Sequence, residues 1–193
     1  MNHCTITLQG TFEQFNYLRS PINFEKLWNN INLQLFNKEQ KILFILPVSI
    51  LSIVSLQTSI NLIYGLRSIY CVNTQLVDFK FDILDVPEYL NIKLLPLKFI
   101  DMLEYTWSFM LKKMAQSDNP ITGFSPNELK ELEQIIEYMQ ERTELDPEYC
   151  LKQQIKFFST IQEYDLSHNK NFCSIFPDMI EYYQLCKRVY NES

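Results

Sequence analysis

The chain is poor in glycine: its 193 residues include three, at positions 10, 65 and 123. Phosphate-binding loops of the P-loop and Rossmann types need closely spaced glycines, so the sequence excludes both. Histidine is also scarce, since only His3 and His168 are present. Neither belongs to a cluster with metal-ligand spacing. We predict that His168 is an exposed residue of a polar loop over residues 165–171, and we expect no metal and no cofactor.

The five cysteines are widely spaced and form no Cys-x-x-Cys pair. Three of them, Cys71, Cys150 and Cys186, fall among apolar residues and are predicted to be small buried hydrophobes. No basic segment followed by a short apolar run marks a signal peptide at the N-terminus. These patterns predict reduced thiols, no catalytic cysteine and a cytoplasmic location.

The formal net charge of −6 is unevenly distributed along the chain. Residues 1–114 contain ten basic and nine acidic side chains, whereas residues 115–193 contain seven basic and fourteen acidic ones. Nucleic-acid binding depends on Lys and Arg neutralising phosphates, so the acidic half argues against a nucleic-acid partner. It is compatible with a basic protein partner, and also with an ordinary solvated helix surface.

No charged side chain occurs between Lys41 and Arg67. Residues 42–46 are uniformly apolar, which is typical of a buried strand, and Pro47 is expected to end it. Residues 48–64 allow two interpretations: serines at positions 49, 52, 55 and 59 fit the polar stripe of one helix, and residues 50–56 equally fit a second strand followed by a helix over 57–66. We predict the strand followed by the helix. The segment is therefore core, partner interface or membrane anchor, and the sequence leaves these three alternatives open.

Periodicity predicts a mixed α+β fold. Strands are expected at residues 4–9 and at 76–84, where apolar side chains alternate with the charged Asp78, Lys80 and Asp82, which should face water. Amphipathic helices are expected at residues 23–36 and from 99 onwards. Later helices begin at a capping box from Ser125 to Glu128, at Asp146 and at Phe176.

These elements indicate a small N-terminal β/α sheet unit over residues 1–114. An acidic helical unit follows over residues 125–193, either as a separate domain or as part of one continuous domain. Residues 116–124 form the boundary, because they are polar and include Pro120 and Gly123.

The candidate partner-binding residues are four glutamates of the helical half: Glu133, Glu137, Glu141 and Glu144. They belong to an acidic run from Glu128 to Glu148 that only Lys130 and Arg142 oppose. Acids near the end of a helix are locally unfavourable because the carboxyl end of a helix prefers cations. Glu141 and Glu144 therefore suggest that another group uses their charge.

Three segments in order resemble the STAS domain of anti-sigma-factor antagonists: Thr5-Ile-Thr-Leu-Gln-Gly10, Lys41-Ile-Leu-Phe-Ile-Leu46 and Leu56-Gln-Thr-Ser-Ile-Asn-Leu62. The resemblance implies a similar sheet up to about residue 111, with the helical half as an addition. The family's Asp-Ser-Ser/Thr-Gly switch is replaced by Gln57-Thr58-Ser59-Ile60. Thr58 or Ser59 is nearest to the position that the family phosphorylates.

The leading functional hypothesis is a non-enzymatic protein-binding or regulatory module that uses its acidic helical surface. A membrane-associated subunit anchored by residues 42–66 is the second hypothesis. An enzyme with an unrecognised site is the third, and it has the least support because histidine, glycine and clustered reactive groups are scarce.

Overall fold

The computed structural model describes residues 2–37, 40–117, 119, 121–141 and 145–193. The strands in these residues are β1 (Asn2–Thr7), β2 (Gln40–Val48) and β3 (Val77–Ile83). The α-helices in the same residues are α1 (Phe12–Leu18), α2 (Phe24–Phe36), α3 (Leu56–Tyr70), α4 (Ile100–Gln116), α5 (Pro126–Gln140), α6 (Pro147–His168), α7 (Phe172–Ile175) and α8 (Ile180–Glu192). The predicted α+β class, with a small N-terminal sheet and a helical C-terminal half, is confirmed.

The sheet is parallel with strand order β1-β2-β3, so β2 lies in the centre. Ile42 aligns with Val77 and Phe44 aligns with Phe79, which places these four buried side chains on one face. Helices α2 and α3 pack against that face, and the ring of Trp28 lies 6.2 Å from that of Phe44. Burial of this face explains why the apolar residues of β2 and β3 form strands here.

The opposite face of β3 is exposed, as its alternating sequence predicts. Asp78, Lys80 and Asp82 all reach solvent, while Val77 and Phe79 are buried. The strand pairs with β2 on one side only, so it is also an edge of the sheet. A charged edge strand resists pairing with other chains.

The prediction that Pro47 ends the central strand is wrong, because β2 continues to Val48. The backbone N–H of Leu8 donates to Ile45 O at 2.8 Å, and that of Leu84 donates to Val48 O at 3.0 Å. The backbone groups of successive residues in a strand point to opposite neighbours. Ile45 points to β1 and Val48 to β3, so the Pro47 nitrogen points to β1. That strand ends at Thr7, so the missing N–H of Pro47 costs the ladder little.

The predicted second strand over residues 50–56 is also wrong. A 3₁₀ turn (Ile53–Ser55) leads directly into α3, which includes the predicted helix over 57–66. Ser52 Oγ accepts from the Ser49 N–H at 2.9 Å, and Ser55 Oγ donates to Ser52 O at 3.0 Å. Serine side chains that bond to nearby backbone favour turns over strands, and here they do so inside the core.

The predicted starts of α5 and α6 are confirmed, whereas the start predicted at Phe176 is a 3₁₀ turn. Ser125 and Glu128 form the capping box of α5, and the Asp146 carboxylate accepts from the Tyr149 N–H at 3.0 Å at the start of α6. A 3₁₀ turn (Pro177–Met179) precedes α8. Side-chain caps therefore position α5 and α6, whereas α8 begins at Ile180 without one.

The polar loop predicted over residues 165–171 is wrong in its first half, because α6 extends to His168 and Asn169, at φ 49°, ends it. The Asp165 carboxylate accepts from Tyr17 Oη at 2.7 Å and from the Phe172 N–H at 2.8 Å. These bonds connect Asp165 to α1 and α7 and hold it in its helical position. The sequence patterns did not predict these two short helices.

Both halves contribute to one cluster of buried apolar side chains, which extends from Leu8 to Cys186. The uncharged segment contributes the central strand and much of α3 to this cluster. The division into a unit over residues 1–114 and a helical unit over 125–193 stays a prediction. Among the described helices, none combines the length and the apolar character needed to cross a bilayer.

A candidate acidic docking surface

Helix α5 presents a row of carboxylates to solvent. Its apolar side chains Leu129, Leu132, Ile135 and Met139 are buried, which turns Glu133, Glu137 and Glu141 outwards. These three glutamates are four residues apart, so their side chains are neighbours along one stripe of the helix. The fourth predicted site residue, Glu144, lies outside the described residues.

The stripe is only partly neutralised within the chain. Lys93 Nζ lies 2.6 Å from Glu141 Oε2 and 3.9 Å from the centre of the Tyr138 ring. Glu141, which the sequence offers as a partner-binding residue, is therefore already paired within the chain. Glu133 and Glu137 form no ion pair with any described residue. Two adjacent, exposed carboxylates therefore remain available for an external cation.

The segment after β3 brings further carboxylates to the same end of α5. Tyr138 donates a short hydrogen bond to Asp85, and Asn91 Nδ2 donates to Asp85 Oδ1 at 2.9 Å and to Tyr138 Oη at 2.6 Å. Burial, followed by the bond to Asp85, raises the pKa of Tyr138 to about 12. Glu88 accepts from Gln153 Nε2 at 2.9 Å.

Asp85 and Glu88 were missed because both follow the strand whose charged side chains face water. Nothing in the sequence connects them with Tyr138, which lies 53 positions beyond Asp85. Val86 lies between these acids and is 80% exposed, so the surface combines negative charge with an apolar side chain. We define the acidic docking surface as Glu133, Glu137, Glu141, Asp85, Val86 and Glu88.

Glu128 belongs to the acidic run in sequence but not to this surface. Its Oε1 lies 2.6 Å from Arg67 Nη2, and its Oε2 accepts from the Ser125 N–H at 2.7 Å. Arg67 is 2% exposed and also donates to Val77 O at 3.2 Å and Gly123 O at 3.0 Å. The pair therefore fixes α5 against α3 and β3, and that contact orients the exposed glutamates.

The histidines and the cysteines are the other candidate groups for catalysis or metal binding. His168 is exposed, as predicted, and its ring stacks on Tyr164 with centroids 4.1 Å apart. Within the described ranges, no three His, Cys, Asp or Glu side chains converge on a point that could hold a metal ion.

Burial makes two of the thiols, Cys173 and Cys186, weaker acids. It raises the pKa of Cys186 to about 12, and burial followed by the charge of Asp165 raises the pKa of Cys173. Catalytic cysteines need a lowered pKa because the thiolate is the nucleophile. Cys71 and Cys186 are buried as predicted, whereas Cys150 is half-buried.

The two residues nearest the STAS switch position differ in exposure: Ser59 is buried inside α3, whereas Thr58 is half-buried in its first turn. No family model, curated protein or solved structure matches the chain. The resemblance to STAS domains stays a prediction.

Proposed function

We propose that the protein is a protein-binding module whose acidic docking surface receives a basic segment of a partner. The observation that carries the proposal is the pair Glu133 and Glu137, which are exposed, adjacent and without a cation among the described residues. Like charges four residues apart destabilise a helix, so a partner's Lys or Arg side chains would relieve a repulsion as well as form ion pairs.

The spacing of the stripe supports a helical partner. A helix with Lys or Arg four residues apart would match the spacing of Glu133 and Glu137, while Lys93 already pairs with Glu141. The exposed Val86 would contact an apolar residue beside those cations. Complementary charge of this kind accelerates association and weakens with salt. The same negative charge would repel phosphate groups, so we propose no nucleic-acid partner.

We place this activity in the cytoplasm, and we assign the module a regulatory rather than an enzymatic role. Cys-x-x-Cys pairs are absent from the sequence, and the cysteines are widely spaced along the chain. Free thiols are typical of reducing compartments. The acidic docking surface contains carboxylates and an apolar side chain, which suit recognition better than bond-breaking chemistry.

The test uses the full chain and a synthetic helical peptide with lysine at every fourth position. We expect the double variant Glu133→Lys/Glu137→Lys to bind this peptide about tenfold more weakly or worse, which corresponds to about 1.4 kcal/mol. The control variant Glu104→Lys/Glu163→Lys makes the same change of net charge at exposed sites on α4 and α6. It should bind nearly as well as the unmodified chain.

Fluorescence anisotropy of the labelled peptide, recorded at two salt concentrations, measures the affinity of both variants for the peptide. Equal losses in the two variants would mean that only the overall charge matters, and the docking surface would be rejected. Unchanged affinity in Glu133→Lys/Glu137→Lys would also reject it. Circular dichroism of each variant verifies that α5 remains folded.

A further inference from the structure

Strand β1 is one edge of the sheet, and its outer side is open. Among the described strands it pairs with β2 alone. The Leu8 N–H donates to Ile45 O, and successive residues of a strand point to opposite sides. The backbone N–H and C=O groups that point away from the sheet are therefore those of His3, Thr5 and Thr7. No backbone partner for these groups occurs among the described residues.

Strand β1 has none of the features that keep a strand edge from pairing with another chain. Natural edge strands are commonly protected by charged side chains, by proline or by a bulge. The sequence of β1 contains no Asp, Glu, Lys, Arg or Pro. Its pairing with β2 is continuous from Asn2 to Thr7, so these residues form no bulge. The opposite edge of the sheet, β3, has three charged side chains and is protected.

The open groups of β1 match a second copy of the same strand. Antiparallel strands exchange two N–H···O=C bonds at every second residue pair. The three outward residues are symmetric about Thr5, so a two-fold axis at Thr5 pairs all of them. Thr5 then lies opposite Thr5 of the second copy, and His3 lies opposite Thr7. Threonine pairs across antiparallel strands are favourable, and both His3 and Thr5 are exposed for such contacts.

Helix α2 flanks this edge with uncharged side chains. Ile31 and Leu35 are buried under the helix, and Asn32 accepts from Tyr70 of α3 at 3.0 Å, which places α3 on one side of α2. At about 100° per residue, the side of α2 away from α3 has Leu27, Asn30 and Gln34. None of these three is charged, so the α2 helices of two copies can approach beside the paired strands.

The distribution of charge also favours contact between two copies at this edge. The net charge of the chain is −6, but residues 1–114 have ten basic and nine acidic side chains. Like charges repel, so two copies meet with the least repulsion through this nearly neutral half. A strongly basic or acidic segment of another protein would find no charged side chain on β1. The occupant that fits the edge is therefore a second copy of this chain.

We propose that the protein forms a two-fold symmetric dimer in which the β1 strands of two copies pair in antiparallel direction. The dimer contains one continuous sheet with the order β3-β2-β1-β1-β2-β3. A six-stranded sheet is of ordinary size, since most sheets have about 4–6 strands. Asp85 and Val86 of the acidic docking surface follow β3, at the far edge of each copy. Both docking surfaces stay accessible, and the dimer does not depend on them.

Single cysteine substitutions test the register. Residues that face each other in these pairs have Cα atoms about 5.5 Å apart, and a disulfide accepts separations of about 4.4–6.8 Å. Thr5→Cys should therefore form a disulfide-linked dimer with copper–phenanthroline as the oxidant. Thr7→Cys alone should form none, because its two copies lie about 14 Å apart. A mixture of Thr7→Cys and His3→Cys should form the link again.

Non-reducing electrophoresis detects the linked dimer, and mass spectrometry of its peptides identifies the linked residues. The unmodified chain is the blank for the native cysteines, and its Cys4 would lie opposite Ile6 of the second copy. A link between two copies of Thr7→Cys would mean a different register. That result, or the absence of a link in Thr5→Cys, would overturn the proposed pairing.

Sedimentation equilibrium of the full chain measures the association itself. We expect a dimer at about 100 μM, and a monomer for Thr5→Lys, which brings two like charges together at the two-fold axis. Asn61→Lys is the matched control, because it makes the same change of net charge at an exposed site of α3. It should dimerise as the unmodified chain does, and circular dichroism verifies that both variants are folded.

Two results would reject the dimer through β1. A monomer of the unmodified chain at this concentration would leave the edge to an extended segment of another protein or to solvent. A dimer that persists in Thr5→Lys would place the contact on another surface, such as the exposed apolar side chains Phe36, Ile69 and Val72.

Discussion

Arg67 and Glu128 meet inside the protein with Nη2 2.6 Å from Oε1, although 61 positions separate them in the chain. Arg67 is also flanked by the rings of Phe79 and Phe124, at 5.1 and 5.8 Å from its guanidinium carbon. One residue thus connects the sheet, α3 and α5. The buried pair holds α5 in place against α3 and the sheet, and this fixes the position of the exposed glutamates on α5.

Removing one partner of this pair should destabilise the fold strongly. We expect Arg67→Met to lower the free energy of unfolding by about 3–5 kcal/mol, because Glu128 would remain buried without a cation. The control Lys98→Met breaks the exposed pair with Glu181 and should change stability far less, because solvent screens that pair. Urea unfolding measures both variants, and similar costs would show that the buried pair does not hold the fold together.

Partner binding and helix stability should respond in opposite directions at Glu137. Glu137→Gln removes like-charge repulsion along the stripe, so we expect it to raise the free energy of unfolding by about 0.2–0.5 kcal/mol. The same change should weaken binding of the basic peptide. Glu163→Gln is the control, because Ser159 and Ser167 rather than acids lie four residues away. A loss of stability in Glu137→Gln, measured by urea unfolding, would contradict the repulsion on which the proposed function depends.

Stability should decline in alkali because two tyrosines are held neutral by the fold. Burial, followed by bonds to Asp165 and Asp85, raises the pKa values of Tyr17 and Tyr138 above the ordinary value of 10.0, that of Tyr138 to about 12. The unfolded chain loses these protons first, so their contribution is complete below pH 10 and is lost as the pH rises through the folded values.

Urea unfolding at pH 8, 10 and 11 checks this expectation, with the tyrosine absorbance recorded in parallel. Tyr17→Phe should make the dependence on pH shallower, because phenylalanine has no proton to lose. A free energy of unfolding that stays constant from pH 10 to 11 would show that neither tyrosine is protected by the fold.

The reactivity of the thiols should decrease as their burial increases. Cys71 and Cys186 are buried, and burial raises the pKa of Cys186 to about 12, so we expect neither thiol to react with a disulfide reagent in the native protein at pH 8. Cys4 and Cys150 are half-buried and should react first. Mass spectrometry of partly labelled protein identifies the sites. Early labelling of Cys186 would mean that α8 detaches from the core.

Local sequence signals predicted the elements with clear patterns and failed where tertiary contacts decide. The alternation of residues 76–84 and the caps at Ser125 and Asp146 led to the correct strand and helices. Residues 50–56 have the apolar, β-branched composition of a strand, but buried serine–backbone bonds turn them into a 3₁₀ turn and a helix start. Helix α1 was missed because its seven residues begin at Phe12 with φ 49°.

The sequence by itself determined the α+β composition, the parallel strands' apolar faces, the acidic bias of the second half and the exposure of Glu133 and Glu137. These properties depend on residue type and on spacing within a few positions. Tertiary structure alone decided that Glu128 is buried with Arg67, that Lys93 pairs with Glu141, and that Asp85 joins Tyr138. Such contacts bring together groups tens of positions apart, and a local pattern contains no information about which distant charge will meet it once the core has formed.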